Sequence, residues 1–519
     1  MKKFGLIAII MLAVNIAAGA QGVEDALRYS EQFYVGSART MAMGNAFTAL
    51  GGDLGALGLN PASSALYNCC EFAVTGGFSW NKTNSVFYGS EDDYYQNAKK
   101  TKFTIPNITA VFSLPTGRDY GLVGYTFGFG FTKTNNFNSR IMFGGSDANT
   151  SFLGNIATGL YGVAESELMA EDAFDVNYCT NQEILAYDTY LVDPFIDENG
   201  KTAYIGATEN VFNGEIGVDN ALNKSYDRST GGGVYDMQFN FGMNFNDRLY
   251  LGANMNIKMV DYEENMWYSE KALGGDVFDV GFQGMSYNYW QQTEGAGFNL
   301  QLGAIYVPTS SLRFGISYTT PTAYFLTDSW QEYMSSSFKD GLPDRKSAES
   351  ESPMKSFDYS VTAPSRLTLG AAVVFGQTGL LSVDLERVNY AKTRMGDVNG
   401  YGSTFDDVNQ YMADYCTRCN IFRLGGELNV SSTLALRAGY TGYFYENPGY
   451  QYVSLGFGKR LSENASLDLA FRTSLSDTYN MTPYDDYAFN DAGVAQCLAP
   501  VAGITSRFKD LMLTYRVKF

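Results

Sequence analysis

The sequence predicts an all-β chain: a transmembrane antiparallel β-barrel of about fourteen strands with a small N-terminal helical hatch inside it. Three observations carry this. After residue 20 no run of about 18 or more apolar residues occurs, so an exported chain has no helix with which to cross a membrane. The composition, 38 Tyr and 36 Phe with 55 Gly against 12 Pro, suits pleated strands, aromatic girdles and tight turns. Strict alternation also appears: Leu249, Leu251, Ala253, Met255, Ile257 and Met259 interleave with Arg248, Tyr250, Gly252, Asn254, Asn256 and Lys258.

The chain opens with Lys2 and Lys3 before an apolar run from Phe4 to Ala18 that ends in Ala18-Gly19-Ala20. This is the pattern of a cleaved secretory signal, so residues 1–20 are the expected signal peptide and Gln21 the expected first mature residue. No Cys stands at the cleavage point to accept a lipid anchor. Residues 21–70 are rich in small side chains and read as a compact hatch, and 71–519 read as the barrel.

Strands are expected near 71–80, 105–114, 121–132, 234–245, 247–260, 296–307, 311–319, 364–376, 379–390, 420–430, 433–443, 450–459, 464–474 and 510–519. A soluble sandwich would alternate too, with Lys and Asn facing water. The connectors decide for a barrel, because short turns at Pro115–Tyr120, Asn246, Pro308–Ser310, Gln377-Thr378, Ser431-Ser432 and Arg460–Glu463 alternate with long loops. The longest, 133–233, is too long to lack strands or a helix of its own. The last segment, Leu511 to Phe519, alternates to an aromatic carboxy-terminus and resembles the signal read by the barrel assembly machinery.

Several function classes fall away. A net charge of -19 argues against nucleic acid as a partner. The chain has no His, which removes the commonest general base, the imidazole metal ligand and the usual haem ligand; no enzyme activity, cofactor or metal is expected. Glu165, Glu167, Glu171, Asp172 and Asp175 form an acidic run that reads as a solvated loop or a divalent-cation site beside lipopolysaccharide. Cys416-Thr417-Arg418-Cys419 lacks further ligands for zinc; in an exported chain Cys179, Cys416, Cys419 and Cys497, all placed in outer loops, are expected as two disulfides, with three pairings open, against the alternative of free thiols. Cys69 and Cys70 are expected to pack as small apolar groups.

Within the hatch, Gly36-Ser37-Ala38-Arg39-Thr40-Met41-Ala42-Met43-Gly44-Asn45-Ala46-Phe47-Thr48-Ala49-Leu50 leads to Gly51-Gly52-Asp53 and then Asn60-Pro61-Ala62. These segments resemble the FadL/TodX family of outer-membrane transport proteins, as a Bacteroidetes-like member. Thr362 to Gly370 and Leu436 to Tyr440 are similar to the family less specifically. The resemblance implies a fourteen-stranded barrel closed by a hatch, carrying long-chain fatty acids or aromatic hydrocarbons from the cell surface and releasing them sideways through a gap at a kinked strand. It implies no energy source and an outer-membrane location, with outer-membrane lipid and lipopolysaccharide as neighbours. The alternative is a non-transporting FadL-like barrel serving as a scaffold for secretion or surface assembly.

Candidate site residues follow. Gly36, Arg39, Asp53, Asn60, Pro61 and Ala62 are assigned to the hatch and lateral gate, with Asn60 either a surrogate partner for an irregular strand or an ordinary Asn-Pro turn. By parity Lys258, Arg366, Arg423, Arg437 and Arg472 point into the lumen. They would meet a ligand carboxylate or, with Asp384, Glu386, Glu427 and Asp468, brace the barrel as ion pairs.

Overall fold

A computed structural model describes residues 22–519 except 90–91, 176–178, 213–214, 275–276, 343–344, 399–404, 446–447, 476 and 490–494. The expected signal peptide lies outside the described residues. In chain order the strands begin with β1 (Glu71–Tyr88), β2 (Asp93–Pro115), β3 (Leu122–Asn136) and β4 (Ser139–Asp147). Two hairpins follow, β5 (Val192–Ile196) with β6 (Thr202–Gly206) and β7 (Glu209–Phe212) with β8 (Glu215–Val218). Then come β9 (Leu222–Phe245), β10 (Leu249–Ala272), β11 (Phe282–Thr309), β12 (Leu312–Thr319), β13 (Thr322–Phe338), β14 (Ala348–Glu351), β15 (Lys355–Ala363) and β16 (Arg366–Phe375). The rest are β17 (Gly379–Asn389), β18 (Arg394–Asp397), β19 (Arg418–Ser431), β20 (Leu434–Phe444), β21 (Pro448–Arg460), β22 (Ala465–Ser474), β23 (Asp477–Met481), the hairpin β24 (Tyr487–Phe489) with β25 (Ala495–Cys497), and β26 (Ala502–Lys518).

One sheet holds 20 of these strands, and β4, β13, β14, β15, β18 and β23 prolong or flank another strand, which leaves fourteen staves. All pairings are antiparallel, and β26 returns to β1 from Glu71↔Lys518 to Phe87↔Ala502, so the sheet closes on itself as a barrel. Every expected strand is present, and the tight turn at Asn246-Asp247 has the two positive φ values (56° and 55°) that such hairpins need. The staves run further outward than alternation suggested; the expected strand 296–307 is part of β11. Beyond Met259 the outward positions of β10 become Asp261 and Glu263, so the greasy-polar signal stops while the ladder continues to Ala272.

Outward side chains such as Met255, Phe298, Leu302, Phe314, Leu369 and Leu455 are exposed and apolar. Over Leu249–Met259 this band is about 25 Å tall for a tilted strand, the height of the apolar band of outer-membrane barrels. A closed barrel with such a belt spans the outer membrane with its strands. The inner face is polar and packed. The hatch fills it, with Met41, Ala46, Phe47 and Ala56 fully buried, and Gly44 (φ +61°) lies so close to β19 and β20 that a Cβ would strike the backbone of Tyr440 and Leu424.

The long 133–233 segment folds over the outer mouth. It contributes β4, the helices Phe152–Gly159, Glu165–Leu168 and Asn181–Asp188, and the first two hairpins. Leu153, Leu160, Leu185 and Leu191 share a buried cluster with Phe282, Met334 and Tyr487 from other outer segments. Glu270 of β10 ties this cap to the barrel at a helix N-terminus, accepting from Phe152 N (2.9 Å) and Ser151 Oγ (2.6 Å). Lys224 of β9 donates to Asp147 Oδ2 (2.6 Å), Thr150 O (2.6 Å) and Tyr484 OH (2.7 Å).

Candidate transport pathway

The hatch motif residues are hatch-to-barrel fasteners. Ser37 caps the helix Ala38–Ala42 and donates to Asp53 Oδ1 (2.6 Å), while Gly36 sits at φ +67°, where a side chain would strike Thr40 and Tyr34. Asp53 caps the next turn and lies 3.6 Å from Arg39 and 3.8 Å from Arg516 of β26; Arg39 in turn grips both oxygens of Glu427 on β19 at 2.9 and 3.2 Å. Asn60 is fully buried and Pro61 opens a 3₁₀ turn. The Asn60 Oδ1 accepts from Ala62 N (3.0 Å), and its amide nitrogen donates to Thr48 O (2.7 Å) and, at 3.3 Å each, to Ala304 O and Ile316 O. Ala304 and Ile316 are ladder partners in regular register. Asn60 thus meets strand carbonyls where the wall is continuous, and the irregular wall lies elsewhere.

The five lumenal cations all have protein partners. Glu386 bridges Arg366 (2.8 Å) and Arg423 (2.5 Å); Arg437 meets Glu427 and Asp468 at 2.6 Å each; Arg472 meets Asp510 at 2.8 Å; Lys258 meets Asp236 at 2.5 Å. The same groups hold hatch carbonyls: Arg366 donates to Ser30 O (2.6 Å) and Arg472 to Tyr34 O (2.9 Å). Asp384 accepts from Thr48 N (2.9 Å). Amide side chains do likewise, Asn254 to Leu57 O (2.9 Å) and Asn240 to Pro61 O (3.0 Å). Fixed donors on so many hatch carbonyls hold residues 22–70 firmly in the lumen.

The disulfide expectation is corrected. All six cysteines are free thiols. Cys179 and Cys497 pack on the cap cluster, whereas Cys416 caps the helix Asp406–Tyr415 and Cys419 is buried at the start of β19, below the loop assigned to it. Burial pushes the thiols of Cys179 and Cys416 up to about 11.

The wall parts between β2 and β3. Their ladder runs from Pro115↔Gly124 only to Asn107↔Thr132, although β2 follows β1 on to Asp93 and β3–β4 follow β9 on to Asp147↔Leu222. A bulge at Thr75/Gly77 opposite Pro106 and another at Lys133/Asn135 mark the parting. Above it β4 tucks behind β1, whose inward Thr83 donates to Arg140 O (2.7 Å) and Ser85 to Met142 O. Among the described residues side chains bridge from β2: Lys100 Nζ to Ser229 Oγ (2.9 Å) and Thr230 O (2.7 Å), and Tyr94 against Gly145. The start of the hatch abuts the parting, with Phe33 N donating to Thr134 O (2.8 Å) and Asn135 Nδ2 to Arg28 O (3.2 Å) and Glu31 O (3.3 Å).

Behind this seam lies a cavity of about 180 Å³ lined by Arg28, Phe137, Ser139, Ile141, Arg228, Thr230 and Tyr262. Phe137 and Tyr262 meet edge to face (5.4 Å), and the Arg28 guanidinium lies 4.1 Å from the Tyr262 ring centre. A larger cavity of about 460 Å³ lies at the rim, by Asn389, Cys416 and Arg418. None of the seam residues was singled out from the sequence. The available signal was Pro106, a proline inside an apparent central strand, which a ladder tolerates only at an edge or a bulge.

No family model matches the sequence, and no curated protein matches it. Among solved structures it is similar to the deltaS2 mutant of the TodX monoaromatic hydrocarbon channel, at 13% identity over 93% of this chain and 98% of that one, with a TM-score of 0.51. The TodX deltaS2S3 mutant gives 13% identity, 94% and 99% coverage and a TM-score of 0.51. A Pseudomonas aeruginosa FadL homologue gives 11%, 94% and 100%, with a TM-score of 0.48. At these identities the likeness to the two TodX structures shows a shared fold.

Proposed function

We propose that this chain is an outer-membrane channel of the FadL/TodX type, passing small hydrophobic molecules passively from the cell surface and releasing them sideways at the β2–β3 seam. The observation that carries the reading is the ladder that ends at Asn107↔Thr132, level with the outer end of the apolar belt and beside the hatch. Backbone groups freed at that depth need protein partners, and the hatch supplies one from Phe33 N to Thr134 O; further out, in the polar rows, Thr83 and Ser85 of β1 hold β4 by side-chain bonds that a few rotamer changes would undo. Lateral release also follows from solvation, since an apolar solute set free in water would forfeit about 0.8 kcal/mol per buried CH₂. Because every candidate lumenal cation already has a carboxylate partner, a neutral aromatic or acyl solute suits the path better than a site built for a free carboxylate.

The scaffold reading keeps one observation in its favour, the mouth filled by the cap cluster. The channel account requires this cap to swing aside. A Trp at Ser139 would fill the seam cavity. Ser139→Trp should keep heat-modifiable gel mobility yet cut uptake of radiolabelled toluene at least about tenfold in cells lacking another such channel. Uptake equal to the parent's would remove the seam from the pathway, and no toluene uptake by the parent itself would favour the scaffold.

A further inference from the structure

Four cations stand together on the outward face of three adjacent strands. Lys82 of β1 faces Lys99 of β2 on one side and Arg507 of β26 on the other, and Lys509 lies opposite Trp80 one step nearer the belt. Lys82, Lys99 and Arg507 are exposed and Lys509 half-buried, while the alternate residues Ser79, Asn81 and Thr83 are buried inward. Like charges directly across a ladder repel. Among the described residues none of the four is in an ion pair, in a chain whose net charge is -19.

The rows around them are ordered. Phe103, Phe78 and Leu511 form the last apolar row of the belt, all exposed; Thr101, Trp80 and Lys509 come next; Lys99, Lys82 and Arg507 follow; then Asn97, Asn84 and Thr505. On β10 and β11 the first row beyond the belt carries Asp261 opposite Glu294, so the basic sector is local.

We infer that this sector is a docking site for a phosphorylated glycolipid of the outer leaflet. Its phosphates lie on the cation row, its sugar hydroxyls on the Asn-Asn-Thr row and its acyl chains on the Phe-Phe-Leu row. Charge complementarity and the order of the rows commit the site to an amphiphile, since a free phosphate would use the cations alone. The inference rests on the outer-membrane reading and is independent of transport, so its test uses no uptake assay.

The test is native mass spectrometry of the full-length barrel in detergent with bis-phosphorylated hexa-acyl lipid A. The parent should retain the lipid, release it at least about tenfold more readily when the lipid is dephosphorylated, and ignore millimolar inorganic phosphate. The variant K82Q/K99Q/R507Q/K509Q should lose at least about tenfold in affinity, while D261N/E294Q stays at the parental value. If the quadruple variant does not insert, K82Q/R507Q with unchanged gel mobility should lose at least about threefold. Binding by the inserted variant at the parental level, equal retention of dephosphorylated lipid, or displacement by inorganic phosphate would each overturn the site.

Discussion

Asn60→Ala separates a hatch fastener from a gate. The buried wild-type side chain caps the turn at Ala62 N and donates to Thr48 O, both bonds buried, and to Ala304 O and Ile316 O, both part-buried. Loss of an N-cap costs about 1 kcal/mol, and leaving the Thr48 carbonyl without its 2.7 Å donor costs about 1–3 kcal/mol more. The two long bonds add little, and neighbouring losses do not sum fully, so about 2 kcal/mol is expected for local opening of the hatch. That corresponds to roughly thirtyfold faster amide exchange across 48–66. Hydrogen–deuterium exchange on the inserted barrel reads this directly, with β11 and β12 as internal controls that should not move. Uptake of an apolar solute should stay within about twofold, because the ladder beside Asn60 is unbroken. Exchange within about threefold of the parent would refute the fastening argument, and abolished uptake with unchanged exchange would restore Asn60 to the gate.

Glu386→Gln leaves Arg366 and Arg423 sharing no carboxylate in the lumen and should destabilise the barrel by about 3–5 kcal/mol, seen as a lower urea midpoint in lipid; an unchanged midpoint would show the network to be idle. Alkylation of denatured, unreduced protein should count six thiols, and native labelling of Cys179 and Cys416 should be slow because burial raises both thiols; two disulfides would contradict the structure. Glu209 in the cap is held protonated to about 7 by burial, against the Gly206 N–H bond and with repulsion from Glu270. A raised carboxyl favours the folded state fully below the ordinary carboxylate range and loses that advantage as pH rises toward 7, so the cap should loosen between about pH 5 and 8. Exchange over 152–159, corrected for intrinsic rates, should report it, and Glu209→Gln should flatten the dependence.

The staves were legible where the membrane imposes a period of two, as in Leu249–Met259, and became illegible where both faces meet water or cap, as in β11 before residue 296. Lumenal parity was enough to place Arg437 and Arg472 inward, yet their partners depend on register: Arg437 lies opposite Glu427 and Arg472 opposite Asp510 only once β19–β20 and β22–β26 are aligned. Cysteine spacing gave no account of the packing, in which Cys179 and Cys497 lie against the cap cluster and Cys416 and Cys419 against a cluster at the rim, all as free thiols. The seam is a relation between two strands that each look ordinary alone, and Pro106 was its one local mark.

The most direct measurement of the central claim is photolabelling of the inserted barrel with a small neutral diazirine-bearing aromatic, followed by mapping of the adducts. The account predicts adducts on Phe137, Ile141 and Tyr262 behind the seam and on Ile105 beside it, above the uniform background that the lipid-facing belt acquires, with competition by toluene and loss in Ser139→Trp. Adducts confined to the belt, or concentrated in the rim cavity by Cys416 and unaffected by toluene, would contradict a route through the β2–β3 seam.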